Sequence, residues 1–460
     1  MVLRTLLGVA LVGSMLGPAA DAAPPGDAFF ATARVARIHL TIPRDAFPLL
    51  SPGPPGRAES VADGGPAEVH HNTFGAAQPW TRGTLECDGE VFPDVGLRAK
   101  GNYTFMAAAR SLRKSLKVDL DRHVDGRTLD GLAMLNLHSG VSDRSRAREA
   151  LSYAAYRACG VPAPRTCFAE VELTVPGLHE RVFVGVYTVT EQIDKRFLAW
   201  HFGDGGGMLL KPEGLVGGPA WLGNDWAPYA ERYRPEKPPK PARQRRLLDF
   251  ARVVSEADDA EFAARIGDFL DVDAFLGFIA VTALVANLDS YLAYGHNYDL
   301  YLDPATDRFA FIPWDLDLSL ATWPAAGTPE QLVRLSIDHP HAGDDRLLDR
   351  LLAIPARRAR YRGLVEQHFA TLFRSGLLAR ELDAIEAALR EPLALESLAE
   401  LDRGESQAAA RGPFGGGRFG DSLPPREFIA KRAASVAAQL EGREEGFVPR
   451  SVPVPGPPRR

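Results

Sequence analysis

The first part of the chain alternates apolar and polar residues in short runs, which is the two-residue period of strands with one buried face. In the clearest run, Leu116, Val118 and Leu120 alternate with polar positions. Strands are predicted over 34–42, 91–99, 115–120, 168–175 and 182–190. The last two runs flank a Pro-Gly turn at 176–177 and are therefore predicted to form a hairpin.

The second part of the chain follows helical periodicity instead. Helices are predicted over 143–158, with Ser142 as the N-cap, over 247–288, and over 346–440 apart from a Gly-rich break at 412–420. Strands first and helices later indicate an α+β fold. We expect a β-rich N-terminal lobe over about 30–195 and a helical C-terminal lobe over about 196–445.

Three stretches inside the helical part differ from an amphipathic helix. The segment 274–288 carries no charge, and a stretch of this length is typical of a buried core helix rather than a membrane span. The segment 231–246 is charged and rich in proline, and is predicted to be a loop. A hairpin is predicted from 298–302 and 308–312.

The two ends of the chain are predicted to lie outside the folded domain. Arg4, the apolar run 6–16 and the small-x-small triplet 20–22 predict a secretory signal peptide over 1–22, with an uncleaved anchor as the alternative. We therefore expect an exported protein whose mature chain has no transmembrane segment. The Pro-rich segment 446–460 is predicted to be an extended tail, which leaves one continuous domain over 23–445.

Composition narrows the possible partners. The 53 Lys+Arg against 59 Asp+Glu give a net charge of −6, which argues against nucleic acid because its phosphates require a basic face. Cys159 and Cys167 flank a Pro-rich turn and can pair under oxidising conditions, and the alternative is three unpaired buried thiols. The histidine pairs at 70–71 and 339–341 lack a Cys/His zinc pattern and are interpreted as surface residues.

The densest group of polar residues follows the long apolar stretch. Asn287 and Asp289 come first, His296 and Asn297 next, and the predicted hairpin then ends in Trp-Asp-Leu-Asp at 314–317. Because a hairpin returns the chain to its start, we expect these carboxylates and carboxamides to converge. Mg²⁺ prefers such oxygen ligands, and phosphoryl transfer also needs a carboxylate near the accepting hydroxyl. The alternative interpretation is that they are turn and capping residues.

With these motifs in place, the sequence resembles the CotH kinase family, atypical secreted protein kinases related to spore-coat protein H. The matching stretches are 97–102 with 114–119, 144–165, 185–195, 287–317 and 426–432. The most specific part is the pair Asn-Leu-Asp at 287–289 and Trp-Asp-Leu-Asp at 314–317. The resemblance covers roughly residues 30–440 and implies an atypical protein-kinase-like fold of two lobes, with the nucleotide between them.

The resemblance also implies roles for individual residues. Asp289 would be the catalytic base that orients the acceptor hydroxyl, and Asp315, Asn297 and Asp317 would hold Mg²⁺ or Mn²⁺. The residues implied for ATP are Lys117 at the phosphates, Arg148 or Glu149 orienting it, and Lys100, Gly101, Glu191, Lys211 and Trp314 around the nucleotide. Lys100 stands where the family usually has Arg, which keeps the charge but loses the bidentate geometry.

The implied function is transfer of the ATP γ-phosphate to Ser or Thr of a coat, envelope or matrix protein. The expected partner is therefore a Ser/Thr-rich protein, met after export at the cell or spore surface, in the periplasm or in the medium. One alternative is a catalytically inactive surface or spore-coat assembly protein that keeps the fold. Another is a glycosidase using Asp315 and Asp317, which on a strand would lie about 6–7 Å apart on one face.

Overall fold

The computed structural model describes residues 23–31, 33–53, 69–212, 218–403 and 422–450. The predicted signal peptide (1–22), the Gly-rich break (412–420) and residues 451–460 of the predicted tail lie outside this range. The described residues combine strands and helices in the predicted order, which confirms the α+β class.

Seven strands form a closed barrel. They are β1 (Val35–Thr41), β4 (Thr81–Cys87), β5 (Glu90–Ala99), β6 (Leu116–Asp119), β7 (Met134–His138), β8 (Thr166–Val175) and β9 (His179–Glu191), while β2 (His70–His71) and β3 (Ala77–Gln78) form a separate small sheet. The order around the barrel is β1-β4-β5-β6-β7-β9-β8. Its neighbours are antiparallel except β1 and β8, whose parallel pairing from Val35↔Phe168 to Thr41↔Thr174 closes the barrel.

Apolar side chains at alternate strand positions fill the barrel, as the sequence pattern predicts. On β6, Leu116 and Val118 are buried in this core, whereas Lys117 between them is only half-buried. Because successive strand residues point to opposite faces, Lys117 lies on the outer face of the barrel. The short helix α1 (Tyr103–Ala107) follows β5.

The rest of the described chain is mainly helical. Its helices are α2 (Ala147–Ala158), α3 (Lys195–Phe202), α4 (Ala227–Tyr233), α5 (Pro241–Ser255), α6 (Asp259–Phe269), α7 (Val272–Leu284), α8 (Tyr291–Tyr294), α9 (Pro329–Leu332), α10 (Arg346–Ala353), α11 (Pro355–Phe369), α12 (Leu377–Asp402) and α13 (Pro425–Leu440), with a π-helical turn at Ala370–Arg374. A three-stranded antiparallel sheet lies among them, in the order β10 (Met208–Leu210), β11 (Tyr298–Asp303) and β12 (Arg308–Pro313).

The apolar helix α7 is the centre of this second core. Every residue from Phe275 to Leu284 is buried, which confirms the predicted core helix. The chain leaves α7 shortly before Asp289, and the β11–β12 hairpin returns it to Asp315, so one helix and one hairpin position the acidic residues. Within the described residues, no helix combines the length and the apolar character that crossing a membrane requires.

Two predicted boundaries are wrong. The helix predicted from residue 143 begins at Ala147, because Arg146 at its N-cap has a left-handed φ of 58° and Asp143 accepts hydrogen bonds from the backbone before the helix. The predicted loop 231–246 is helical at both ends, in α4 and α5. Pro241 begins α5, a position where a missing N–H leaves no intrahelical bond unmade.

All three cysteines are free thiols, so the structure has the unpaired alternative rather than a bridge between Cys159 and Cys167. Burial raises the pKa of Cys87 and of Cys159 to about 12, and it raises the pKa of Cys167 further. Thiols of this kind stay protonated near neutral pH and are poor nucleophiles.

Candidate functional site

Three neighbouring barrel strands present polar residues on one outer face. Arg98 on β5 is in register with Lys117 on β6, and Lys117 with Asn136 on β7, so the three side chains lie side by side. Lys100, directly after β5, donates from Nζ to Asn136 Oδ1 at 3.2 Å. Lys117 and Lys100, two of the three lysines predicted to bind the nucleotide, therefore both lie next to Asn136.

A chain of hydrogen bonds links Lys100 to helix α2. Lys100 Nζ donates to Nε2 of His138, and His138 Nδ1 lies 2.9 Å from both carboxylate oxygens of Glu149. Thr190 Oγ1 donates to the same carboxylate at 3.1 Å. Because Nδ1 faces an acceptor it carries the hydrogen, which leaves the Nε2 lone pair for Lys100. Glu149 thus positions Lys100 through His138, whereas the prediction was that it would orient Lys117.

Trp314 brings a third lysine to this place. Lys100 Nζ lies 5.0 Å and Lys211 Nζ 5.2 Å from the centroid of its ring. The His138 ring packs edge-on against it at 6.2 Å. A cation over an aromatic face is attracted to the ring, so Trp314 holds Lys211, which follows β10, beside Lys100 of the barrel.

The acidic residues begin with Asp289, which is 8% exposed. Its Oδ1 lies 2.9 Å from His296 Nε2. Asn297 Nδ2 donates to the Asp289 backbone oxygen at 2.8 Å and to its Oδ2 at 3.3 Å. The predicted convergence of Asp289 and Asn297 is therefore a direct contact, which leaves Asn297 Oδ1 available for another partner.

Asn297 and Asp315 both adopt a left-handed backbone with φ of 55°. Such conformations cost non-glycine residues about 1–3 kcal/mol each and persist where the surroundings impose them. Here the backbone N–H of Trp314 donates to the backbone carbonyl oxygen of Asn297 at 3.1 Å. The backbone N–H of Asp315 donates to the Tyr153 hydroxyl at 3.1 Å. Strain at two neighbouring polar residues is a frequent property of functional sites.

The carboxylates of this region repel one another. Burial raises the pKa of Asp315, with the charges of Glu149 and Asp289 adding to the effect and that of Lys100 opposing it. Burial and the charge of Asp315 raise the pKa of Asp317 well above its ordinary value. A divalent cation relieves such repulsion, and a donor set of carboxylate and carboxamide oxygens fits Mg²⁺ or Mn²⁺.

The lysines show the opposite perturbation. Burial lowers the pKa of Lys100 to about 7, with Lys211 adding to the effect and Asp315 opposing it. Burial likewise lowers the pKa of Lys117 to about 7, with Arg98 and Lys211 adding. The region therefore has a cationic side from the barrel and an anionic side from the hairpin, and the charges of Lys100 and Asp315 interact across it.

The other residues implied for the nucleotide contact protein groups outside the cluster of lysines and carboxylates, or shape the backbone next to it. Glu191 accepts from Arg165 Nε at 3.0 Å and from the Arg165 backbone N–H at 3.0 Å. Arg148 Nη1 donates to Asp143 Oδ1 at 2.7 Å, so its guanidinium is bound away from Lys117. Gly101 has a φ of 96°, a conformation that favours glycine, and so makes the turn after Lys100.

Four residues that shape the region had no predicted role: Asn136, His138, Tyr153 and His296. The first two lie on β7, which the apolar pattern did not predict as a strand. Tyr153 lies within the predicted α2 region, but nothing local shows that its hydroxyl meets Asp315. His296 belongs to the polar cluster, and its position next to Asn297 was the available signal.

Comparison with known proteins gives three findings. The family model described as CotH kinase protein matches residues 97–411. Inner spore coat protein H of Bacillus subtilis (strain 168) is 26% identical over 250 residues, which are 54% of this chain and 65% of that protein. The chain thus spans somewhat less than two thirds of the length of this curated relative.

The third finding is a weak structural similarity. The crystal structure of a Helicobacter pylori proinflammatory kinase, CtkA, aligns with a TM-score of 0.26 and 10% identity over 63% of this chain and 95% of that chain.

Proposed function

The chain belongs to the CotH kinase family, and on that premise we propose that it is a phosphotransferase that moves the γ-phosphate of ATP to a protein hydroxyl. The observation that carries the proposal is the meeting of barrel lysines and hairpin carboxylates in one buried region. Lys100 and Asp315 are near enough for each charge to shift the pKa of the other. The cationic side suits the triphosphate, and the anionic side suits a divalent cation.

The proposed nucleotide position lies between two lobes. The barrel forms a β-rich N-terminal lobe, about 30–195, and α3 to α13 with the three-stranded sheet form a helical C-terminal lobe, about 196–445. In support, Lys100 from the barrel and Lys211 from the second part contact the same Trp314 ring. Glu191 ends β9 just before the chain enters the second part, and its bonds to Arg165, which precedes β8, fix the end of the barrel there.

In the proposed reaction Asp289 is the catalytic base. The acceptor hydroxyl gives its proton to Asp289 while its oxygen attacks the γ-phosphorus, and ADP leaves with the electron pair of the broken phosphorus–oxygen bond. His296 holds Asp289 Oδ1 and Asn297 holds Oδ2, so the carboxylate is oriented before substrate binds.

The phosphates are bound in this proposal by Lys117, Lys100 and Lys211, with Gly101 making the turn after Lys100. Asp315, Asp317 and Asn297 Oδ1 would hold Mg²⁺ or Mn²⁺, which neutralises charge on the phosphate oxygens when bound. Tyr153 keeps Asp315 in place through the backbone bond described above.

The test is transfer of labelled γ-phosphate to a generic acceptor or to the protein itself with Mg²⁺ or Mn²⁺. We expect Asp289→Asn and Asp315→Asn each to lower transfer by about 10²-fold or more. The matched control is Asp273→Asn, an exposed carboxylate on α7 that pairs with Arg360, and it should retain the wild-type rate. Equal rates in all four proteins would refute the assigned roles.

We extend the proposal to the acceptor and the location. The name of the relative from Bacillus subtilis, an inner spore coat protein, supports a coat protein as the acceptor. In this proposal the phosphate goes to Ser or Thr of a coat, envelope or matrix protein, which the enzyme meets after export by the predicted signal peptide. Phosphosite mapping of surface fractions with and without the gene tests the acceptor. N-terminal sequencing of protein recovered from those fractions tests the export, with Ala23 as the expected first residue.

A non-catalytic assembly protein is the second candidate. It is favoured by a relative named for the coat rather than for an activity, and by Lys100 in place of the usual Arg. A folded wild-type protein that binds ATP but transfers no phosphate would support this candidate. The glycosidase alternative is disfavoured because Lys100 lies close enough to Asp315 for their charges to interact, whereas a glycosidase pair needs a sugar between its carboxyl groups.

A further inference from the structure

The loop between α9 and α10 brings together two histidines and an aspartate. His339 and His341 lie in the loop, and Asp349 lies in the first turn of α10. One potential ligand atom from each of the three residues lies within 4.8 Å of the other two. The two imidazole rings are 4.3 Å apart between centroids. This cluster, His339–His341–Asp349, is separate from the proposed nucleotide site.

His341 is the fixed member of the cluster. Its side chain is 1% exposed, and its Nδ1 lies 2.9 Å from the Gly343 carbonyl oxygen. Since a carbonyl only accepts, Nδ1 carries the hydrogen and donates it. Metal-binding histidines typically use the second ring nitrogen in this way, which fixes the tautomer and the direction of the ligating nitrogen.

The other ring nitrogen of His341 faces a carboxylate. Nε2 is buried, makes no hydrogen bond, and lies 3.0 Å from Asp349 Oδ1. With the hydrogen on Nδ1, the unprotonated Nε2 and the Asp349 carboxylate are in close contact without a hydrogen bond between them. A positive charge stabilises such a contact, and either a second ring proton or a metal ion can supply it. The third potential ligand of the cluster, His339, favours the metal ion.

Asp349 is also held in position. Its Oδ2 accepts the Asp345 backbone N–H at 3.0 Å, which leaves Oδ1 directed at His341. The backbone N–H of His339 donates to Ser336 Oγ at 3.2 Å, which anchors the start of the loop. The donors are therefore supported by bonds outside the cluster, as in a built ligand set.

We propose that His339, His341 and Asp349 form a binding site for a divalent transition-metal ion of the Zn²⁺ type, with water in the fourth position. Two imidazole nitrogens and one carboxylate suit Zn²⁺, whereas Mg²⁺ and Ca²⁺ prefer oxygen ligands throughout. The interpretation of this histidine pair as surface residues is wrong for His341, which is buried. The His-x-His pair needs a ligand from the next helix, which only the fold provides.

The site has a structural consequence for the loop that carries Asp289. Ala342 N, next to His341, donates to Leu292 O in α8 at 2.7 Å. Helix α8 lies between Asp289 and Asn297. A bound ion would therefore fix the 339–349 loop against α8. This inference does not depend on the proposed phosphotransfer.

The test is Zn²⁺ and Co²⁺ binding to the full chain, purified without a histidine tag and dialysed against a chelator. We expect one equivalent with the visible spectrum of tetrahedral Co²⁺, and a higher thermal-unfolding midpoint with Zn²⁺. His339→Ala and Asp349→Asn should each weaken binding by at least about 100-fold, because even supporting residues of metal sites cost 10–100-fold. Neither variant removes the buried His341, so both are expected to fold.

Two controls locate the ion. His179→Ala removes a half-buried imidazole of the barrel strand β9 and should leave the affinity unchanged. Asp315→Asn should also bind one equivalent of the metal ion, which excludes the proposed nucleotide site as the location of that ion. Wild-type stoichiometry and affinity in His339→Ala and Asp349→Asn, loss of the ion in Asp315→Asn, or no binding by the wild type would each overturn the proposal.

Discussion

The substitution Glu149→Gln tests the hydrogen-bond chain behind the proposed phosphate-binding lysine. It keeps the shape of the side chain and removes its charge. The carboxylate accepts from His138 Nδ1 through both oxygens at 2.9 Å and from Thr190 Oγ1 at 3.1 Å. A carboxamide oxygen at the Oε1 position can still accept from both donors, but without the negative charge, and the NH₂ group at the Oε2 position then faces His138 Nδ1, a second donor, at 2.9 Å.

The expected cost follows from these bonds. Glu149 is 2% exposed, so no water replaces a lost partner. Losing one charge-assisted bond costs about 1.5–3 kcal/mol, and a buried unpaired donor adds to it. If His138 instead moves its hydrogen to Nε2, that hydrogen faces Lys100 Nζ, a second donor. We therefore expect the free energy of unfolding to fall by about 2–4 kcal/mol, together with displacement of Lys100.

The assay compares urea unfolding and ATP affinity in the wild type, Glu149→Gln and a control. The control is Thr190→Val, which removes one neutral donor and should cost only about 0.5–1.5 kcal/mol with ATP affinity unchanged. Glu149→Gln should weaken ATP binding by about 10-fold or more, the loss of one charge-assisted contact to phosphate. Wild-type stability and affinity in Glu149→Gln would refute the idea that Glu149 positions Lys100 through His138.

Four further outcomes follow from burial and backbone geometry. Asp315→Gly should be more stable than Asp315→Ala by about 1 kcal/mol, because φ is 55° there; equal unfolding midpoints in urea would contradict the strain. Asp317→Asn should raise the melting temperature at pH 7 without metal. The folded pKa of Asp317 is raised above its unfolded value, and such a carboxyl destabilises the fold once the pH exceeds the unfolded pKa. The gain in melting temperature should shrink in acid, and a lower melting temperature for the variant would oppose this reasoning. ATP binding at pH 8 should take up protons, because Lys117 has a pKa of about 7 in the free protein and a bound phosphate favours its charged form. The affinity for ATP should then fall as the pH rises above 7. A calorimetric binding enthalpy that does not depend on the buffer would exclude this linkage. Glu396→Ala should lower the free energy of unfolding by about 3–5 kcal/mol, since Arg146 is 1% exposed and loses its carboxylate partner; a loss below about 1 kcal/mol in urea would show the ion pair to be unimportant.

Local patterns predicted those parts of the fold that local physics determines. The two-residue period of 115–120 and the uncharged run 274–288 correspond to the expected elements, β6 and α7. The order of apolar and polar residues shows directly whether one face of an element or its whole surface is buried. The start of α2 was missed because Arg146 enters a left-handed conformation that its side chain does not signal. Closure of the barrel was not predicted either, since the pairing of β1 with β8 joins strands that are distant in sequence.

In the candidate site, too, contacts between residues close in sequence were easier to predict than contacts made by tertiary packing. The proximity of Asn297 to the end of the hairpin was predictable, because a hairpin returns the chain to its start, whereas the contact of Asp289 with Asn297 depends on the short helix α8 between them. The bond between His138 and Glu149 was not predictable, since it joins the end of a barrel strand to a helix through tertiary packing. The metal cluster at His339 and Asp349 required the same kind of information.

The closed barrel has a practical consequence for fragments of this protein. The family match begins at residue 97, inside β5, whereas the barrel is closed by β1 and β4, which precede that residue. A fragment of residues 97–411 would lack both strands and would leave the backbone groups of β5 and β8 without their partners. Open strand edges of this kind pair with other chains and promote aggregation. We therefore expect a fragment with these boundaries to aggregate, and a fragment that keeps the barrel closed must include β1, which begins at Val35.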